Sequence, residues 1–309
     1  MKLTAVITNG PKPLVSIGLP VYNGERFLRL ALESLLAQDY ENFELIISDN
    51  ASTDATAEIC QHYMSMDKRI RYVRNDINPG AAKNFNRVFE LSAGKYFMWA
   101  AHDNIWDKSY ISKCVAMLEE NPAAVLCFCE GIYINEAGGY RSSYKNVQTI
   151  GMDIPARIHT LTVSNSNGCP IYGLIRPEVL KQTRLFTDIF ASDFIVLLEL
   201  SLLGEFIKVP EVLISIRLRD RPKSIMEYQV SVNPANVTPL AAPFTEVMRE
   251  LLRVVSGSNL TGPVKEQIFS DLVETLINTK WRSLIFRENK LDLASPQLRE
   301  ELKKILLAN

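Results

Sequence analysis

The stretch Lys95–Trp106, KYFMWAAHDNIW, decides how the chain is read. Tyr96 to Ala101 are six uncharged, mostly large apolar residues, and the chain then turns polar at His102-Asp103-Asn104. A short apolar run of this kind reads as a strand buried on both faces, as strands of a parallel sheet are. In an open α/β sheet, ligands bind beyond the carboxyl ends of the strands. Asp103 would then stand at the lip of the sheet, where a carboxylate can hold a divalent metal through oxygen contacts. The competing reading is an Asp that caps the helix following it.

The residues before this stretch support the first reading. Leu14–Leu19 is a β-branched apolar run, Pro20–Glu25 a turn, and Arg26–Gln38 has helical apolar spacing. Phe43–Ile47 reads as a second strand running into Ser48-Asp49-Asn50-Ala51-Ser52-Thr53-Asp54, after which a helix extends to about Met64. Ile70–Val73 is a third short strand, Asn75–Gly80 a loop and Ala81–Ser92 a helix. Four strands alternating with helices imply βαβ units and a mostly parallel sheet with helices on both faces. Right-handed crossovers bring the polar turns after the strands to one edge. Pro20–Glu25, Ser48–Thr53 and His102–Asn104 should therefore converge in one crevice.

Beyond Trp106 the pattern predicts a helix over Asp107–Asn121 and a strand over Ala123–Cys129 continued through Ile134. Tyr140–Gly168 is poorly patterned, with a helix near Pro155–Val163, in the manner of an acceptor loop or lid. Pro170–Ile175 reads as a strand, Pro177–Thr183 as a short helix and Phe194–Leu203 as an apolar helix behind Ala191-Ser192-Asp193. Glu205–Val209 and Val212–Ile216 read as a strand pair around Pro210, followed by the basic patch Arg217–Arg221. From Asn233 the prolines mark a linker, and amphipathic helices are expected over Phe244–Val255, Val264 to about Phe286, and Pro296–Leu307.

Composition narrows the classes. The chain has 309 residues, 47% hydrophobic and 22% charged, which is ordinary globular usage. A net charge of -1 gives no electrostatic case for nucleic acid. Five cysteines without a CxxC pair favour reduced, buried thiols and a cytoplasmic protein. No apolar start resembles a signal peptide and no stretch is long enough to span a membrane. A peripheral membrane contact through Lys280, Trp281, Arg282 and Arg287 stays open.

Candidate site residues follow from the crevice. Asp49 at a strand end can accept hydrogen bonds from a nucleobase or ribose, against an Asx-turn or cap role for Asp49, Asn50 or Ser52. Tyr22 offers a face for a base to stack on, against packing on the first helix. Gly80 belongs to a tight turn. Asn84 and Asn86 lie in a helix, where Asn is a poor former, so each has either a polar task or a buried structural bond. His102 is placed to touch metal or phosphate. GxxxxGK[ST] and GxGxxG are both absent, so a diphosphate would be neutralised by a metal and basic side chains. Asp193 stands at a helix start, as an N-cap or as a base.

The N-terminal half resembles the family-2 glycosyltransferases, which have the GT-A nucleotide-sugar-binding fold. The likeness rests on Val15–Glu25 (VSIGLPVYNGE), Ser48–Thr56 (SDNASTDAT) and Gly94–Asn104, with a looser likeness over Gly173–Arg217. The resemblance implies a GT-A-like domain over 1–232, with a nucleotide-binding half at 14–106 and an acceptor half at 107–232, followed by a C-terminal helical region at 233–309. It implies that Pro20, Tyr22, Asn23 and Glu25 frame the nucleotide, that Asp49 reads the base beside Asn50, and that Gly80, Asn84 and His102 line the nucleotide-sugar site. Asp103 matches the last Asp of the metal-binding DxD motif, and Asp193 the catalytic base.

The implied activity is metal-dependent, hexosyltransferase-like and inverting, with Mg²⁺ or Mn²⁺ as cofactor. A sugar would pass from a nucleotide donor, a UDP-sugar foremost, to a polysaccharide, lipid-linked or protein acceptor, as in cell-envelope polysaccharide biosynthesis. Two departures stand out. Ala101-His102-Asp103-Asn104 replaces the richer acidic cluster, and Arg217-Leu218-Arg219 replaces an Arg-x-His element, so that Arg219 would contact the diphosphate. A binding or scaffold protein on a degenerate GT-A fold is the alternative. The C-terminal helices are expected to pack on the main domain or to form a homo-oligomer contact.

Overall fold

A computed structural model describes residues 12–218 and 243–277, together with the helical positions Pro296 and Glu300. Nine strands form one mixed sheet in the order β3-β2-β1-β4-β8-β6-β9-β5, with β7 paired to β6. The first half is all parallel. β1 (Val15–Val21) lies between β2 (Phe43–Asp49) and β4 (Tyr96–Trp99), and β3 (Ile70–Arg74) flanks β2. The second half mixes directions. β8 (Leu174–Ile175) runs antiparallel to both β4 and β6 (Ala124–Ile134), while β9 (Glu205–Arg217) runs parallel to β6. β5 (Ile105–Trp106) pairs antiparallel with β9, and β7 (Tyr140–Tyr144) with β6.

The apolar run at β4 is buried on both sides, as its composition predicts. Tyr96 through Ala100 are fully buried. Tyr96, Met98 and Ala100 face one core, with α1 (Leu28–Leu36), α2 (Thr56–Met66) and α4 (Tyr110–Glu120). Phe97 and Trp99 face the other, with α3 (Ala81–Glu90), α5 (Ile154–Val163) and α7 (Ser192–Leu203). The two sets alternate because successive strand residues point to opposite faces. Each buried Leu, Ile or Phe contributes roughly 1.5–3 kcal/mol, so β4 is held as firmly as any element in the chain.

α8 (Pro243–Ser256) and α9 (Gly262–Ile277) extend the second core. Val247, Met248, Leu251, Leu252 and Val255 of α8 and Ile268, Leu272 and Val273 of α9 are buried there. Their apolar faces are thus covered within this chain, α8 against α7 and α9 against α5. The linker prolines Pro234 and Pro239, the basic cluster at 280–287 and the expected helix at 296–307 fall, apart from Pro296 and Glu300, outside the described residues.

Three local expectations are corrected. The expected strand at Pro170–Ile175 is a 3₁₀ turn over Cys169–Tyr172 followed by the two-residue β8. The expected strand pair around Pro210 is one continuous strand, in which Pro210 and Glu211 bulge where the register jumps from Cys129↔Val209 to Glu130↔Val212. A bulge is where a strand tolerates the missing proline donor. In Tyr140–Gly168 the helix expected near Pro155–Val163 stands as α5, and the remainder, expected to be irregular, contains the strand β7. All five cysteines are free and buried, and no helix among the described residues is long and apolar enough to cross a membrane.

Candidate functional site

The loops after β1 and β2 are laced together. The Asn23 amide donates to Ser52 Oγ at 2.9 Å, the Gly24 amide to Thr56 Oγ1 at 2.8 Å and the Glu25 amide to Asp54 Oδ2 at 3.1 Å. In return Asn23 Oδ1 accepts from the Thr53 amide and Glu25 Oε2 from the Ala55 amide, both at 2.9 Å. Glu25 thereby supplies an acceptor to an otherwise unpaired amide at the start of α2, as a capping carboxylate does. Burial alone would raise the Asp54 carboxyl, but hydrogen bonds from Thr56 and from the Glu25 and Thr56 amides hold it below the ordinary value. Asn23 and Ala51 take positive φ, 48° and 60°, so both loops turn sharply at the sheet edge. Tyr22 is 37% exposed.

Asp49 is fully buried at the end of β2. Its Oδ1 accepts from the Ser52 amide, three residues on, at 2.9 Å, and its Oδ2 accepts from the Tyr72 hydroxyl at 2.8 Å. Arg74 Nε lies 3.8 Å from Oδ2. Behind it sits a buried amide network. Asn50 Nδ2 donates to Asn78 Oδ1 and to the Gly80 carbonyl, and Asn50 Oδ1 accepts from Asn75. Asn84 takes the Ser48 hydroxyl on Oδ1 at 2.6 Å and donates to the Ser48 carbonyl at 2.9 Å. Asn50 and Asn84 therefore fix the β2 and β3 ends against α3 from inside. Gly80 has φ 97° and ψ 163°, a region open essentially to glycine alone, directly ahead of α3. A cleft of about 480 Å³ opens beside this loop, with Lys83 and Arg87 among the residues that line it.

The β4 end meets the same loops. A Cβ on Gly24 would lie 3.0 Å from the His102 ring, so the ring packs on that glycine. Asp103 is 7% exposed, and no group of three His, Cys, Asp or Glu side chains suited to a metal exists among the described residues. Asp103 can give a cation one oxygen ligand. This fits an ion such as Mg²⁺, which keeps several waters and is commonly held by one or two carboxylates plus substrate phosphates.

Arg217, part of what reads as a basic patch, is buried and holds the Asp103 loop. Its Nε donates to the Asp103 carbonyl at 3.0 Å, its amide to Asn104 Oδ1 at 3.1 Å, and its Nη1 to the carbonyls of Asn135 and Glu136. Its guanidinium lies 4.6 Å from the Phe27 ring centroid. The only sequence signal for it was an arginine closing an apolar strand pattern. Arg219 lies outside the described residues.

Asp193 lies in the first turn of α7, and the cap position is Ala191, in left-handed conformation at φ 54° and ψ 39°. Leu185 is likewise left-handed, at φ 58°. Such a conformation costs a residue with a Cβ about 1–2 kcal/mol, so the segment before Asp193 is held under strain. A Cβ on Gly168 (φ 71°) would lie 3.0 Å from Asp193 Oδ2. Gly168 leads through the 3₁₀ turn into β8, which enters the sheet from the edge where β4 leaves it. Asp193 is thus on the same edge as Asp103. Burial raises the Asp193 carboxyl above the ordinary value, against hydrogen bonds from the Phe194 amide and its own. Cys169 lies alongside, 3.4 Å from the Tyr133 hydroxyl. Burial pushes its thiol up to about 11, so it stays protonated and is no nucleophile.

The fold and these loops have counterparts in known proteins. The model of glycosyl transferase family 2 matches residues 16–184. An uncharacterized glycosyltransferase of Haemophilus influenzae is 30% identical over 220 residues, 69% of this chain and 68% of that protein. The other curated relatives match over shorter stretches that make up less than half of their own length. Residues 1–349 of S. aureus TarS, solved in complex with UDP-GlcNAc, superpose with a TM-score of 0.65 at 18% identity, over 94% of this chain and 86% of that one. The mannosyltransferase PcManGT from Pyrobaculum calidifontis, in complex with GDP-Man and Mn²⁺, gives a TM-score of 0.54 at 15% identity, over 96% and 86%. At such identities the structural likeness is one of fold.

Proposed function

The chain belongs to glycosyl transferase family 2, and from that premise we propose an inverting transfer of a sugar from a UDP-sugar to a polysaccharide, lipid-linked or protein hydroxyl. The observation that carries the reading is the arrangement at one sheet edge: an open Tyr22, a buried Asp49 and a strand-end Asp103, with the raised carboxylate of Asp193 beyond them. Tyr22 stacks on the base and Asp49 accepts from it, exchanging its Tyr72 or Ser52 bond for one to the nucleotide. Glu25 and Asn23 keep the loop in register beneath the ribose. Asp103 would hold the cation. A divalent cation, when bound, neutralises the charge that develops on the departing diphosphate.

Asp193 accepts the proton of the acceptor hydroxyl as that oxygen attacks the anomeric carbon. The bond from that carbon to the diphosphate oxygen breaks, the electron pair leaves with the nucleoside diphosphate, and the configuration inverts. A raised carboxyl suits this task, because a base works best with a pKa nearer the operating pH. UDP is favoured over other nucleotides by the TarS complexes, which are similar in fold.

The test is a melting screen of nucleotide sugars with and without Mn²⁺. At 100 times its Kd a bound ligand stabilises by about 2.7 kcal/mol. A UDP-sugar should raise Tm more than GDP- or CDP-sugars, and Mn²⁺ should enlarge the rise. No stabilisation by any of them would overturn the reading. The thin acidic cluster at Asp103 favours one rival, a nucleotide-sugar-binding protein without turnover. Stabilisation by a UDP-sugar with no release of UDP across a panel of acceptors would establish that rival.

A further inference from the structure

Asn86 has no part in the scheme above, and helix formation does not call for it, since Asn is a poor helix former. Its side chain instead reads a peptide unit 100 residues away. Asn86 Nδ2 donates to the Phe186 carbonyl at 2.8 Å, and the Phe186 amide donates to Asn86 Oδ1 at 3.0 Å. The side-chain amide thus pairs with both polar atoms of one residue, as a neighbouring strand would. The Phe186 ring is fixed as well, its centroid 4.6 Å from Phe85 and 4.9 Å from Trp99, the last residue of β4. Trp99 closes the triangle by donating Nε1 to the Phe85 carbonyl at 2.9 Å.

The segment so gripped is the one that carries Asp193. Leu185 and Ala191, the two left-handed residues, bracket Phe186 and the turn after it. The Thr187 amide donates to Ser192 Oγ at 2.7 Å, which passes the constraint to the first turn of α7. At the other end of α3, the Gly80 carbonyl is held by Asn50 at the nucleotide edge. A strained segment keeps one geometry only where its surroundings over-determine it, and Asn86 supplies the two directional bonds that do so.

We propose that Asn86 is a positioning residue, clamping the segment 183–193 to α3 so that the Asp193 carboxylate is held in register with the donor half. This rests on Asp193 being the base. The Asn86 amide acts through Phe186 and touches no reacting atom.

The test compares Asn86→Ala and Asn86→Asp with the native chain. The Asp variant keeps the size and the acceptor for the Phe186 amide but cannot donate to the Phe186 carbonyl. Hydrogen exchange of amides 185–193 should quicken at least tenfold in both variants, the Asp variant setting a carboxylate oxygen against the Phe186 carbonyl, while exchange in β1, β2 and β4 stays native. With UDP-GlcNAc as the probe donor, kcat should fall about tenfold or more, and the donor KM should stay within threefold. Native exchange in 185–193 would overturn the proposal. So would a native kcat, or a donor KM that rises in step with the fall in kcat, since a general loss of structure predicts that. Asp193→Asn separates this proposal from the reading beneath it. If Asp193→Asn abolishes transfer and Asn86→Ala does not lower it, the clamp alone is wrong. If Asp193→Asn transfers normally, the base assignment fails and the positioning role fails with it.

Discussion

Two stretches of the same sheet edge are built in opposite ways. The loops after β1, β2 and β3 satisfy one another. Asn23, Glu25, Asp49, Asn50, Asp54 and Asn84 all find partners in these loops and in the strand and helix ends beside them, and Asp49 is buried with both oxygens engaged. The stretch that leads into α7 also has two left-handed residues, as Asn23 and Ala51 are in the first, but its carboxyl, Asp193 in the first turn of the helix, is raised by burial. The first stretch is organised before anything binds. The second keeps a carboxyl in a setting that disfavours its charge. Binding a common nucleotide rewards a rigid cradle, whereas proton transfer rewards a group held out of its preferred state.

The change that breaks this contrast most sharply is Asp193→Asn. Loss of the base should cut kcat by about 10²–10⁴-fold and leave donor binding in place, checked by single-turnover assay and calorimetry. The same variant should be more stable at neutral pH. The folded pKa is raised above the unfolded one, so ionising Asp193 costs stability above the unfolded value near ~3.9, increasingly until pH passes the folded pKa. Removing that cost should raise Tm at pH 7.5, and the gain should vanish near pH 3. In the native enzyme, kcat should fall on the acid side at a pH above the ordinary carboxylate range.

Next in size is Asp103→Ala. Turnover with Mn²⁺ should drop roughly 10²-fold, about 2.7 kcal/mol, and the stabilisation by a UDP-sugar should lose its Mn²⁺ dependence. Chelation of the native protein should reproduce most of that loss. Smaller again is Asn84→Ala, which strands the Ser48 hydroxyl and carbonyl inside the first stretch. It should destabilise by about 2–3 kcal/mol, read from the urea midpoint. The smallest change is Ala191→Gly. It relieves a left-handed Cβ and incurs the entropy of glycine, for a net gain of about 0.5–1 kcal/mol. Turnover should fall as stability rises.

Most of the fold could be read from the chain, because its first half is locally consistent. The β4 run is apolar on both faces, and the strand-helix alternation from Val15 to Trp99 leaves few topologies open. What escaped depends on distant partners. β5 is two residues long and exists because Ile105 and Trp106 pair with Ser215 and Ile214. Pro210 suggested a break, yet β6 carries β9 across it through a bulge. At the candidate site, the convergence of the strand-end loops was legible and the partners of each side chain less so. Asn84 offered no sign of whether its amide faced a ligand or Ser48. Arg217 looked like one member of a charged run, although Phe27 and four hydrogen bonds enclose it.

That enclosure of Arg217 bears on how the enzyme comes into being. The loop bearing Asp103 is pinned by the final residue of β9, more than a hundred positions later in the chain. Domains fold from the N-terminal side as synthesis proceeds at about 5–20 residues per second, and long loops close late. The loop at Asp103 therefore gets its fixed partners only when β9 has been made and has joined β6.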